Sequence, residues 1–507
     1  MDDLLEIIGT INTGIWNPMA YMALGLGLLY TVWTGAVQIR RLPDLVSILK
    51  ESAGDEEGGI SSFQALALTL SSRVGVGNIA GVATAIAVAG PGALFWMIVM
   101  GILGGATAFA ESTLAQVFKR RVDGEFRGGI PYYIERGLGQ KWLAVIAAGA
   151  TVILYAVLAP GVQSFNIANS ANVAFGAPEW VTGLIVAVVF GIIVIGGTKR
   201  ITAVADKAVP FMAAGYILLA IVVIVVNLDK VPAVIALVLS SAFGVNEVFG
   251  GIVGAAVAWG VRRAVFSNVA GVGEGSYASA AASVSHPAKQ GIVQAFSIYV
   301  DTVLVCSATG IMILMTDSYN VVTEAGRTLV ENLPGLEPGT ENTQIALDSV
   351  FPGFGSVFVA LSLFLFAFTT LIAFNYISTS AAAYLFKGVA LAVVTRIIQG
   401  LMVVIAFLSA ILPADLIWGI GDIGYGSLGW INMVCLVFLA PLVAKVLRDY
   451  TAQKRMGLDP VFDPVKLGIR GANAWTGENP PAAVAVAQAN NARAQGSGAD
   501  AAERSQR

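Results

Sequence analysis

Apolar residues fall in eleven long blocks along the chain, separated by short polar or charged stretches. A bilayer core takes about 20 apolar residues per helical crossing. The blocks predict membrane-spanning helices at 18–38, 63–89, 92–117, 142–173, 179–197, 208–228, 262–285, 290–316, 355–383, 388–412 and 427–447. The seventh is the weakest in hydropathy, and the apolar run 230–256 ahead of it reads as an interfacial or re-entrant piece. Two blocks are interrupted. In the second, Leu70-Ser71-Ser72-Arg73-Val74-Gly75-Val76-Gly77-Asn78-Ile79 places two glycines, an arginine and an asparagine in mid-membrane. In the seventh, Phe266-Ser267-Asn268-Val269-Ala270-Gly271-Val272-Gly273-Glu274-Gly275 repeats the arrangement of polar residues followed by glycines two apart. Such groups cost several kcal/mol against lipid, so the backbone there is expected to unwind along a polar cavity.

Lysine and arginine set the direction of threading. Loops after the odd-numbered blocks up to the ninth hold fourteen of them and the alternate loops two, Lys230 and Arg327. Arg262 and Arg263 are left out of that count, because the depth of their block is not set. The positive-inside rule then puts the N-terminus outside and the C-terminus in the cytoplasm. Span two therefore runs outward and span seven inward, so the two interruptions have opposite orientation. That is the signature of an inverted-repeat secondary transporter with one helix in front. The expected domains are a membrane unit over 1–450, with repeats at about 63–228 and 262–447, an external loop at 317–353, and a cytoplasmic, largely disordered tail at 451–507. The tail expectation rests on its Ala, Asn, Gln, Gly and Ser content.

Composition agrees with a polytopic all-α membrane protein. Of 507 residues 56% are hydrophobic and 12% charged, and neither the net charge of −3 nor any basic cluster points to nucleic acid, so no nucleic-acid partner is expected. Mean hydropathy is +0.78. Cys306 and Cys435 both lie in apolar blocks, where no disulfide or redox pair is expected, and the one histidine, His286, sits in Ser285-His286-Pro287 and reads as a solvated loop residue. No zinc-protease, hydrolase-elbow or phosphate-loop motif is present, which argues against an enzyme or an ATP-driven pump. Isolated breaks in place of a ring of polar groups argue against a channel.

A helix that stops in mid-membrane leaves N–H groups free on one side and C=O groups on the other. The first attract a carboxylate and the second can hold a cation. A zwitterionic amino acid with its driving ion satisfies both. Asp301, about ten residues into span eight, is an acid at mid-depth that needs a partner. Its candidate roles are ligating sodium, carrying a proton, or pairing with Arg73. Thr369 and Thr370 offer adjacent hydroxyls for sodium alongside carbonyls of Ser71 and Val74, although each hydroxyl can also bond back to its own helix. Glu111 and Glu274 are further buried acids.

At these residues the chain resembles the alanine or glycine:cation symporter family over about residues 10 to 450. The resemblance is carried by Ser72 to Val82, by Gly90-Pro91-Gly92-Ala93-Leu94-Phe95-Trp96-Met97 with Ala110-Glu111, by Arg262-Arg263 with Phe266-Ser267-Asn268 and Ala270-Gly271, and by Phe366-Ala367-Phe368-Thr369-Thr370. It implies a leucine-transporter-like 5+5 inverted repeat with one extra N-terminal helix, and sodium-coupled uptake of a small neutral amino acid, alanine or glycine most often. It implies no cofactor beyond sodium as coupling ion, and residence in the lipid of the cell membrane. Oligomeric state is left open. Carried over by position, the substrate-binding set is Val76, Gly77, Asn78, Gln163, Phe266, Gly271 and Val272, with Gln163 toward the substrate amine. The sodium or proton set is Ser71, Val74, Asn78, Ser267, Asp301, Thr369 and Thr370. This chain departs from the family at Val76, where a threonine is usual, at Val269, where a glutamate is usual, and at Glu274-Gly275-Ser276. Glu274 is a candidate stand-in for the acid missing at 269. A proton-coupled or differently selective transporter on the same scaffold is the second reading.

Overall fold

A computed structural model describes residues 2–51, 59–194, 214–476 and 480–505. The ends of the fifth and sixth predicted spans (195–197 and 208–213), with Lys199, Arg200 and Lys207, lie outside these residues. The described chain is almost entirely helical, with two short antiparallel hairpins.

The first helix, α1 (Asp2–Thr34), begins well before the expected block. The second span is broken into α2 (Ser62–Arg73) and α3 (Gly77–Ala89), whose axes differ by 53°. Ser61 and Gln64 cap α2 reciprocally: the Ser61 hydroxyl accepts from the Gln64 N–H at 3.1 Å, and the Gln64 side chain accepts from the Ser61 N–H at 3.0 Å. Next come α4 (Gly92–Val117), the hairpin β1 (Arg120–Val122) and β2 (Glu125–Arg127), the short helix α5 (Ile130–Leu138), then α6 (Lys141–Phe175) and α7 (Glu179–Val194). Helix α8 (Ala214–Val226) turns 77° into α9 (Leu228–Ala242).

The apolar run 230–256 therefore splits. Its first part is the bent-away helix α9, whereas its last residues already belong to α10 (Val253–Asn268), so the seventh span starts earlier than its hydropathy indicates. After an unwound stretch the chain resumes as α11 (Gly275–Ala281), followed by α12 (Pro287–Met315). The segment 317–353 carries a hairpin, β3 (Asn320–Val322) with β4 (Thr328–Glu331), and helix α13 (Thr340–Asp348). Helices α14 (Gly355–Leu385), α15 (Gly388–Ile411) and α16 (Ala414–Arg455) complete the bundle. Among the described residues six single helices are long and apolar enough to cross a bilayer, or eight if each bent pair is one span.

Three sequence expectations need correction. The last span is a helix of 42 residues, not the 427–447 segment, because Tyr450 and Leu447 remain buried and keep it packed beyond the hydropathic edge. His286 is not solvated. It is fully buried at the start of α12, with Nε2 3.3 Å from Asp449 Oδ2 and its ring against Tyr450 and Phe462. The tail is not free coil in its described part. The Phe462 N–H donates to Ser285 O at 2.9 Å, Lys289 bonds Asp459 at 2.6 Å and Glu51 at 2.7 Å, and the Trp475 indole donates to Gln116 O at 2.9 Å. Residues Ala482–Ser505 then form α17. Two buried aromatic side chains, Phe462 and Trp475, outweigh the polar composition around them.

Candidate functional site

Both interruptions are real breaks, and they touch. In the first, Arg73 ends α2 and Val74 turns extended (φ −73°, ψ 101°). The Asn78 side chain then accepts the Gly75 N–H at 2.7 Å, standing in for a helical acceptor. In the second, Val269 closes α10 in the left-handed region (φ 49°), and Gly271 and Gly273 follow at φ 89° and 90°. A β-branched residue in that region is strained, so neighbouring contacts hold it there. A Cβ on Gly77 would lie 2.8 Å from the Ser267 Cα. Glycine at 77 thus lets two backbones meet where any side chain would separate them.

Asp301 pins the two breaks together. Its carboxylate accepts from Asn78 Nδ2 (2.7 Å) in the first break, from Ser267 Oγ (3.1 Å to each oxygen) in the second, and from Thr302 Oγ1 (2.7 Å) beside it. Asn268 donates to Thr302 at 3.0 Å. Asp301 and Asn78 are fully buried. Arg73 is not the partner of Asp301. Among the described residues no carboxylate lies within ion-pair distance of it; it donates to Gln294 O at 3.2 Å and to the Ser297 hydroxyl, and lays Nη2 where a Gly275 side chain would be. The hydrogen bonds that offset the desolvation of Asp301 come from neutral donors.

A second cluster lies on the other side of Gly75. Thr370 donates to Ser71 O and to Phe366 O, both at 2.9 Å, and Thr369 donates to Phe366 O at 2.9 Å. A Cβ on Gly75 would sit 2.8 Å from Thr370 Oγ1 and 3.3 Å from Gln163 Oε1. That Gln163 oxygen is buried with no hydrogen-bond partner among the described residues. The predicted ion set therefore divides: Thr370 joins Ser71, Thr369 turns back to its own helix beside it, and extended Val74 precedes Gly75, while Asn78, Ser267 and Asp301 form the pin.

The predicted substrate set also divides. Val76, Gly77 and Asn78 lie in the first break, with Gln163 facing it. Phe266 stacks on Tyr425 and Trp418, with ring centroids 4.9 and 5.1 Å away. Gly271 and Val272 turn toward α16 instead. Met433 fills the space beside Gly271, Gly429 lies beside Val272, and Gly271 O accepts from Asn432 at 2.9 Å. Asn432 also donates to Glu111 at 2.7 Å. Glu274 lies buried beside Ser72 and Tyr155.

Two features escaped the sequence reading. Wide π-helical turns at Gly77–Gly81, Leu154–Leu158 and Tyr299–Cys306 carry Asn78, Tyr155 and Asp301, and such turns gather at functional sites. Their one sequence signal is a polar residue in an otherwise apolar turn. The other feature is an ion-paired floor. A cavity of about 840 Å³ is lined by Thr84, Asn166, Trp259, Trp418 and the 337–341 segment, and by the ion-paired Arg262, Arg263 and Asp422. Arg262 and Arg263 meet Asp422 at 2.6 and 3.2 Å, above the Phe266–Trp418 stack. Two adjacent arginines in an apolar block were the available signal.

Apolar helices interrupted at their centre, with polar groups gathered at the interruptions, define a polytopic membrane transporter. Residues 1–464 match the model of the sodium:alanine symporter family, and the chain belongs to that family. It is 47% identical over 476 residues, covering 94% of this chain and 98% of the other, to the putative sodium/proton-dependent alanine carrier protein YrbD of Bacillus subtilis (strain 168). It is 46% identical over 420 residues (83% and 94%) to the sodium/proton-dependent alanine carrier protein of Bacillus sp. (strain PS3). It is 35% identical over 453 residues (87% and 96%) to the sodium/alanine symporter AgcS of Methanococcus maripaludis.

Proposed function

We propose that the protein is a secondary active symporter that imports a small neutral amino acid, alanine or glycine, with sodium, by alternating access between two inverted repeats. One observation carries this reading: the two broken helices meet at Gly77 and Ser267, at the edges of their breaks, and are tied to one carboxylate, Asp301. Broken helices placed face to face in a membrane present unpaired main-chain groups to a solute and its ion. In this reading the substrate carboxylate lies along Gly75 to Gly77, and the amine takes the unpartnered Gln163 oxygen. Phe266 bounds the side-chain space toward the closed floor. Sodium takes the oxygens of Ser71, Val74, Thr369 and Thr370, where carbonyls and hydroxyls converge. Asp301 holds the halves in register. The N-terminus faces outward, so the cavity above Arg262 and Arg263 opens to the exterior.

The names of the relatives support alanine and sodium. Those that also carry "proton" support a second reading in which protons drive or share the coupling. Uptake of labelled alanine into proteoliposomes separates the two. Accumulation that requires an inward sodium gradient is expected. Uptake that ignores sodium and collapses with the pH gradient moves the coupling to protons, and no gradient-dependent accumulation of any small amino acid ends the symporter reading.

A further inference from the structure

A second built pocket lies far from the central site, where the C-terminal end of α1 meets the far end of α16. It encloses about 470 Å³ and is lined by three arginines, Arg40, Arg448 and Arg455, together with Thr451, Trp33 and Val32. Among the described residues no acidic side chain is in its lining. Among the described residues none of the three arginines has a carboxylate within ion-pair distance, whereas the neighbouring Arg41 pairs with Asp44 at 3.5 Å. The Arg40 side chain is held in place: Nη2 donates to Thr34 O at 3.2 Å, and the guanidinium covers Gly35 in the turn after α1. Three like charges around one hollow repel each other unless an anion joins them. Guanidinium forks fit phosphate oxygens in pairs.

What descends from the pocket names the rest of the ligand. On α1, Leu28 and Val32 are 55% and 73% exposed, and on α16 Val434 and Phe438 are 41% and 69% exposed. The two helices pack along each other, so the seam between them, a groove bordered by these exposed apolar side chains, leads to the end where the arginines stand. Trp33, 47% exposed, stands at the junction, where tryptophan marks a membrane–water boundary. A free phosphate would use the arginines and leave the groove unexplained.

We propose that Arg40, Arg448 and Arg455 form a binding site for the phosphate headgroup of an anionic glycerophospholipid, whose acyl chains lie in the groove between α1 and α16. A zwitterionic headgroup brings its own cation among three arginines and is disfavoured by like-charge repulsion. The site is independent of the transported solute.

The test is native mass spectrometry of the full-length protein released from detergent with phosphatidylglycerol or phosphatidylcholine, repeated with inorganic phosphate. Wild-type protein is expected to retain phosphatidylglycerol at least tenfold better than phosphatidylcholine, and millimolar phosphate is expected not to displace it. The Arg40→Ala/Arg448→Ala/Arg455→Ala variant is expected to lose that preference, and the corresponding Lys variant to recover part of it. A Lys141→Ala/Lys387→Ala variant removes two cations from another basic hollow, which Asp123 and Glu135 already line, and is expected to keep it. Equal retention of both lipids, full retention in the triple Ala variant, equal loss in the Lys141/Lys387 variant, or displacement by phosphate would each overturn the proposal.

Discussion

Three residues show how far a side chain can be read from its neighbours in sequence. Asp301 was legible as a buried acid in need of a partner, because an acid inside an apolar block is costly wherever the chain goes. Its partners were not legible: Asn78, Ser267 and Thr302 are ordinary polar residues until folding brings them to one point. His286 misled because serine and proline beside it mimic an exposed turn, whereas Asp449, Tyr450 and Phe462 arrive from more than 160 residues away. Burial pushes this imidazole below its ordinary value, against the pull of Asp449. A depressed folded value means that the contribution to stability is present above the unfolded value of about 6.5 and is lost as pH falls through the folded one. The melting temperature of the solubilised protein should therefore drop more steeply below about pH 6.5 than that of a His286→Gln variant, and superimposable profiles would refute this. Gly77→Ala puts a methyl against the Ser267 backbone. It should cost about 1–3 kcal/mol and most of the alanine uptake, read by thermal melting and proteoliposome flux. Val76→Thr returns a hydroxyl beside the proposed carboxylate site and should tighten alanine binding, as a titration by calorimetry would show.

Elements were legible where pattern and physics agree. Glycine pairs among polar residues in apolar blocks marked both breaks, because unwound backbone in lipid has few sequence solutions. Boundaries failed where tertiary contacts override hydropathy. The seventh span begins at Val253 although its early residues are weakly apolar, and α16 runs past its apolar block on buried Leu447 and Tyr450. The segment after Arg455 failed for a related reason: composition averaged over a tail hides single anchors. Phe462 and Trp475 dock against the ends of α4 and α12, and Asp459 meets the buried ammonium of Lys289. Removing the chain after Gly457 should lower the melting temperature by several degrees, since it takes away two aromatic anchors and one partner of a buried cation. An unchanged melting curve would show that the docking contributes nothing.

The whole molecule puts a wide vestibule over a closed floor over the touching breaks. The floor is a shared ion pair, with two arginines on one aspartate. Asp422→Asn leaves the buried Arg263 and the part-buried Arg262 without their counter-charge, a loss of about 3–5 kcal/mol. The variant should expose the Phe266 region, so that a cysteine placed at 266 becomes labelled by a water-soluble maleimide in Asp422→Asn and stays protected in the parent. The two breaks could be argued from sequence, since each is a local run of polar residues and glycines inside an apolar block. The vestibule could not, because it arises from residues of α1, α3, α6, α10, α13 and α16 that share no local pattern.

The near-contact of Gly77 with Ser267 binds the tolerance of one position to the other. No residue larger than glycine fits at 77 while the chain at 267 keeps its path, so the two sites cannot drift separately. A pairwise substitution library should find that bulk at 77 is not rescued by trimming the side chain at 267, because the obstacle is the Ser267 Cα itself, 190 residues away in sequence.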